Sequence, residues 1–296
     1  MKTIYIFIAI AFLALLLLGA EGCPVPSGPG TSSTGASTYG IDFSPAPGVG
    51  YLSAGKNIYL GDTVNAKVHL ENYDTQSHSG KVCVKDNIAE EYGGISEDCQ
   101  NFLLKNAETI KTGTSEQLQS SKIDIVFPTD AEYSYHDIPI NHQAKLFIEL
   151  QYVQSAKVTG AVNVPTPETE KLVLEQSPAP VTASIEKRVS KTTEGYKVYL
   201  EITLNKVMSD AKIYSPDFGK ENALSLKFEN TLLNFKCTPD LGTLGLIDFE
   251  STKFIRCSAV VNEDTVSYPL IIGLDYGVKV TREYGFNINV LKEGEK

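Results

Sequence analysis

Apolar residues recur at every second position through most of this chain, and that period restricts its fold more than any other feature. Val64, Ala66, Val68 and Leu70 alternate with Asn65, Lys67, His69 and Glu71. Ala144, Leu146, Ile148, Leu150 and Tyr152 form a longer run, as do Tyr196, Val198, Leu200, Ile202 and Leu204. Successive side chains of a strand point to opposite faces, so such runs bury one face and wet the other; a helix would scatter them around its circumference. The composition agrees: 15 Tyr and 12 Phe stand against 2 Met, a balance that favours strands.

The runs fall into two sets. In residues 39–166, Gly61-Asp62 is a turn signal and a strand starts at Thr63. Asn72-Tyr73-Asp74 closes it, Ser77-His78-Ser79-Gly80 reads as a loop, and Val82 and Val84 begin a second strand with Cys83 on its other face. Pro165-Thr166-Pro167 ends this set, and residues 167–171 read as a linker. In residues 172–292 the last run, Leu270, Ile272, Leu274, Tyr276, Val278 and Val280, is followed by Phe286, Ile288 and Val290, with Arg282-Glu283-Tyr284-Gly285 as the expected hairpin turn. The expectation is an all-β protein of two tandem β-sandwich domains. Leu146-Phe147-Ile148-Glu149-Leu150-Gln151-Tyr152 parallels Leu270-Ile271-Ile272-Gly273-Leu274-Asp275-Tyr276, and a close cysteine pair precedes each block. Duplication of one domain follows from that repeat.

Two short stretches carry family resemblances. The segment from Gly61 to Asn72 followed by Gly80-Lys81-Val82-Cys83-Val84 resembles the bacterial and archaeal immunoglobulin-like modules of the cell-adhesion-related CARDB type. That resemblance implies immunoglobulin-like sandwiches and a binding, adhesion or spacer role on a surface protein, and it brings no catalytic residues. Leu18-Gly19-Ala20-Glu21-Gly22-Cys23 resembles the lipobox of prokaryotic lipoproteins, which implies lipidation of Cys23.

The lipobox-like block ends residues 1–23, where Lys2 flanks a charge-free apolar run from Ile4 to Ala20. Such a run is a secretory h-region by composition and slightly short for a spanning helix, which needs about 20 residues. A cleaved lipoprotein signal, an uncleaved N-terminal membrane anchor and plain secretion all export the rest. Residues 24–38, PVPSGPGTSSTGAST, read as a disordered tether. The expected location is the extracytoplasmic face of the cell membrane.

Cysteine usage fits that address. Without Cys23, four cysteines remain in two close pairs, Cys83 with Cys99 and Cys237 with Cys257, and local pairing is the economical one of three arrangements. No pair has the two-to-four-residue spacing usual for zinc. The formal net charge of −10, with no basic run, argues against nucleic acid as a partner. The G-x-S-x-G, H-E-x-x-H and G-x-x-x-x-G-K-[ST] patterns are missing from the sequence.

One segment stands out as a ligand candidate. Asp86, Asn87, Glu90, Glu91, Glu97 and Asp98 lie close together around Gly93-Gly94, tied off by the 83–99 pair. Clustered oxygens of this kind suit Ca²⁺, although the spacing is not that of an EF-hand, and the same loop suits contact with a partner or simple solvation. Among the histidines, His69 and His78 read as surface residues, while His136 and His142 flank Asp137 and could meet across a turn as metal ligands. Tyr133 and Tyr135 are candidate recognition residues. The expected function is that of a non-catalytic, membrane-tethered envelope protein that binds a partner protein or glycan or serves as a structural module. The alternatives are an extracytoplasmic enzyme acting on envelope glycan or peptide, and the substrate-binding lipoprotein of a transporter.

Overall fold

Each alternating run becomes a strand that buries the face its apolar residues occupy. The computed structural model describes residues 40–112, 115–129, 131–164, 169–193, 195–229, 232–242, 245–261 and 266–290. Residues 1–23, with Cys23, and the tether at 24–38 lie outside them. Among the described residues no helix is long and apolar enough to cross a membrane.

The first half supplies β1 (Ile41–Pro45), β2 (Tyr51–Leu52), β3 (Asn57–Tyr59), β4 (Thr63–Asn72), β5 (His78–Asp86), the single helical turn α1 (Ala89–Tyr92) and β6 (Asp98–Leu104). It continues with β7 (Glu108–Thr112), β8 (Ser115–Gln119), β9 (Ser121–Phe127), β10 (Tyr133–Ser134) and the long β11 (His142–Val164). The second half supplies β12 (Glu170–Lys171), β13 (Glu175–Gln176), β14 (Val181–Thr192), β15 (Gly195–Lys206) and β16 (Ala211–Tyr214). Then come β17 (Ala223–Glu229), β18 (Lys236–Thr238), β19 (Leu246–Asp248), β20 (Thr252–Val261) and β21 (Val266–Asn289).

Three main sheets result. In one, β4 is the centre and pairs with β1, β2, β9 and β10. A second runs β12-β14-β15-β20-β18. The third is nine-stranded, β19-β17-β21-β11-β5-β6, with β3, β13 and β16 on its flanks. The inward faces of all three feed one contiguous apolar core, including Val68 and Leu70 of β4, Ile148 and Leu150 of β11, and Leu200 and Ile202 of β15.

The nine-stranded sheet changes the domain picture. All 23 residues of β11 pair antiparallel with β21, from His142 opposite Ile288 to Val164 opposite Val266. β11 of the first half and β21 of the second are therefore neighbouring strands of one sheet. The hairpin turn expected at residues 282–285 does not form: β21 runs straight through it. Arg282 and Tyr284 fall in the inward phase of the strand, and Glu283 and Gly285 lie opposite Phe147 and Lys145. Pairing with β11 overrides a locally turn-like composition. The loop expected at 77–80 likewise belongs to β5 from His78 onward.

The repeat seen in the sequence has a structural counterpart. An offset of 124 residues, Tyr152 to Tyr276, puts an approximate two-fold axis at the Val153–Gly277 pair, midway along both long strands. Tyr152 and Tyr276 are both almost wholly buried. The Tyr152 hydroxyl accepts from the Ile41 amide at 3.4 Å, and the Tyr276 hydroxyl accepts from the Val181 amide at 3.1 Å. Ile41 and Val181 open β1 and β14, so the two tyrosines do the same work in each half.

The two disulfides form as expected, Cys83–Cys99 and Cys237–Cys257. They are not equivalent under the repeat. The first joins β5 to β6 in the nine-stranded sheet, and the second joins β18 to β20 in a five-stranded sheet. The cysteine pairs thus lend no weight to duplication, which rests on the strands and tyrosines.

Candidate functional site

The acidic connection between β5 and β6 is built from its own side chains. Asp86, expected as a ligand, is buried and turned inward. Its Oδ1 accepts from the Ile88 amide at 2.9 Å, and its Oδ2 accepts from the Ile95 amide at 2.7 Å and the Tyr135 hydroxyl at 2.9 Å. Asn87 Oδ1 accepts from the Lys145 amide at 2.7 Å, and the Asn87 amide donates to the Lys145 carbonyl at 3.2 Å, which sews the loop to β11. Asp98 Oδ2 accepts from the Tyr133 hydroxyl at 2.7 Å. Gly94 makes room for this arrangement: at φ +98° it lies where a Cβ would overlap the Tyr135 ring and the Asp86 carboxylate.

Tyr133 and Tyr135 therefore brace the loop, and the recognition surface expected of them is not what they form. Tyr135 is almost fully buried. Burial first, and then the Asp86 carboxylate, pushes the Tyr135 phenol far above its ordinary value; burial and Asp98 do the same to Tyr133. Both stay protonated, and both stay donors.

What remains free is the outer rim. Glu90 and Glu91 in α1, and Glu97 beyond it, are exposed and have no cationic partner among the described residues. They line an open cleft of about 620 Å³ together with Cys83, Lys85 and Phe147. Glu149 also lines it but is engaged by Lys279 at 2.8 Å and Gln151 at 2.8 Å.

Ca²⁺ takes six to eight convergent oxygens; here both Asp86 oxygens, Asn87 Oδ1 and Asp98 Oδ2 already accept from amides and phenols. The single grouping of three metal-type ligands among the described residues is Cys83, Glu97 and Cys99, and its two sulfurs are joined in the disulfide. His136 and His142 are not gathered with Asp137 as ligands. His136 lies 3.0 Å from Asp137 alone, and His142 opens β11 with its ring 6.1 Å from that of Tyr92.

The sequence reading missed two charged clusters. His78, expected at the surface, is buried: its Nε2 lies 3.1 Å from Asp74 Oδ2 and its Nδ1 3.3 Å from the Val153 carbonyl. Gln154 Nε2 donates to the same Asp74 oxygen at 2.6 Å. Burial alone would raise the Asp74 carboxyl, but the hydrogen bonds from His78 and Gln154 outweigh it and hold it below the usual carboxylate range. His69 pairs with Asp124 at 2.7 Å on the half-exposed face of β4. The second missed cluster is Arg282 with Asp42 and Asp210, at 2.6 Å and 3.0 Å. Its signal lay in strand phase, because 282 continues the inward series 278, 280. Nothing in the sequence marked His78.

No known protein family matches the chain, and no curated protein resembles it closely enough to count as a relative.

Proposed function

We propose that this chain is a non-catalytic surface protein of the cell envelope, tethered to the extracytoplasmic face of the membrane through residues 1–23. Its two halves act as immunoglobulin-like β-sandwich modules, and its partner is a protein that presents basic side chains to the acidic loop. One observation carries this reading: the loop is tied down by a disulfide, the buried Tyr135 hydroxyl, the part-buried Tyr133 hydroxyl and Asn87, while Glu90, Glu91 and Glu97 make no ion pair among the described residues around an open cleft. A preorganised first layer with unspent charge is what recognition requires and what mere solvation does not.

The test is cross-linking and recovery of the full chain from detergent-solubilised envelope, beside the E90Q/E91Q/E97Q variant. Recovery of one basic envelope protein by the native chain, lost in the triple variant, supports the reading. Equal recovery by both, or turnover of an envelope glycan or peptide by the purified chain, overturns it.

A further inference from the structure

The outward face of the β12-β14-β15-β20-β18 sheet is the reverse of the rest of the molecule in charge. The chain as a whole carries −10. On this face, Lys171, Arg188, Lys197, Lys236 and Arg256 project against only two carboxylates, Glu186 and Glu201. Of the five cations, Arg256 pairs with Glu201 at 2.8 Å, and the other four have no carboxylate partner among the described residues.

Aromatic and apolar side chains share the face. Tyr199 sits at its centre, with the Arg188 guanidinium 6.0 Å and the Lys197 ammonium 5.2 Å from its ring centroid. Phe254 and Val260, 73 % and 53 % exposed, stand on β20 to either side. The pairing register sets Arg188, Tyr199, Ser258 and Lys236 in one cross-strand row. Three strand spacings make that row about 14 Å long. A cleft of about 370 Å³ opens beside it, lined by Arg188, Tyr199, Glu201 and Arg256.

We propose that this face binds an acidic polysaccharide. Arg188 and Arg256, on the strands either side of β15, suit bidentate contact with carboxylate or sulfate groups. An aromatic ring between them offers a flat apolar surface to a sugar ring, and Glu186 and Glu201 accept hydrogen bonds from its hydroxyls. The row is longer than one sugar, which calls for a polymer. The two glutamates would repel the unbroken phosphate line of a nucleic acid, whereas hydroxyls between the charges of a glycan meet them favourably. The proposal does not depend on the acidic loop, which lies in the other half of the chain.

The experiment uses the full chain in detergent with polygalacturonate as the probe, neutral dextran as its control, and affinity electrophoresis at low salt. The native chain is expected to be retarded by polygalacturonate and not by dextran. R188A/K197A should weaken the interaction at least tenfold and Y199A several-fold, while E90Q/E91Q/E97Q leaves it unchanged. These side chains face solvent, so an unchanged melting temperature accompanies the loss. Absence of retardation, undiminished retardation of R188A/K197A or Y199A, or equal affinity for single-stranded DNA would each overturn the proposal.

Discussion

Replacing Arg282 should unfasten the two halves where three elements meet. The Arg282 side chain is 11 % exposed. Its Nη1 donates to Asp42 Oδ1 at 2.6 Å and to the Phe43 carbonyl at 2.7 Å, its Nε donates to Asp210 at 3.0 Å, and its guanidinium lies 4.5 Å from the Phe43 ring centroid. One side chain on β21 thus holds β1 of the first half and the segment after β15. Burial would lower its pKa, but Asp42 and Asp210 outweigh that and raise it, so it is charged wherever the protein folds. Methionine keeps the stem and removes the charge. Removing one partner of a fully buried pair costs about 3–5 kcal/mol. Asp42 and Asp210 are 20 % and 38 % exposed, so water replaces part of the loss, and the lower end, about 3 kcal/mol, is expected for R282M. At this chain length that is a fall of roughly 6–12 °C in Tm. D210N, which touches the wetter partner, should cost only about 0.5–1 kcal/mol. R282M/D42N should recover much of the loss, because the more buried carboxylate is then neutral and only Asp210, the wetter partner, is left without its cation. Urea unfolding of the four proteins reads all of this. An R282M variant within 1 kcal/mol of the native chain, or a double variant no better than R282M, would refute the reasoning.

Gly94→Ala should open the acidic loop, since left-handed strain of about 1–3 kcal/mol adds to the overlap with Tyr135 and Asp86; faster hydrogen exchange at the Ile88 and Ile95 amides is the readout, and unchanged exchange would count against the bracing role. Removing the Cys237–Cys257 bridge, whose cysteines are 20 residues apart, should cost about 3 kcal/mol through loop closure, measured as a drop in Tm for the double serine variant. Asp74 has a folded-state pKa below its unfolded one, so the stability it contributes is complete above the ordinary carboxylate range and is lost as pH falls through the folded value. Asp74→Asn should therefore flatten the acid limb of a stability-versus-pH curve while lowering stability at neutral pH, and an unaltered acid limb would show that the cluster contributes nothing.

Strands were legible wherever one face is dry. The series Val64, Ala66, Val68, Leu70 became β4 with its expected burial, and 196–204 became the heart of β15. Periodicity reports which face is buried; it is silent on what covers it, and so the pairing of β11 with β21 was out of reach. The false turn at 282–285 has the same origin, because polar residues look turn-like when the strand beside them is unknown. In the site, the residues gathered in the acidic loop were legible as a group but not as individuals. Asp86 and Glu90 look alike in sequence; one is buried under three donors and the other stands in water. The cationic face escaped notice because its members come from five strands and meet only through register.

The two halves share a scaffold and differ where they carry charge. Tyr152 holds the start of β1 and Tyr276 the start of β14 by the same hydroxyl, and the long strands pair about their midpoints, as two copies of one unit would. Arg282 has Val158 as its counterpart under the same offset, so the buried guanidinium belongs to one copy alone. The bridges diverge too. Cys83–Cys99 clamps the base of the acidic loop, and Cys237–Cys257 fixes β18 to the edge of the sheet that bears the cations. A sheet edge tolerates change because few contacts depend on it, and a covalent tie supplies there the rigidity that packing supplies at the centre. Each disulfide thus stands beside one of the two surfaces for which we propose a partner, while the tyrosine-centred middle, which must keep both halves in register, has been left alike.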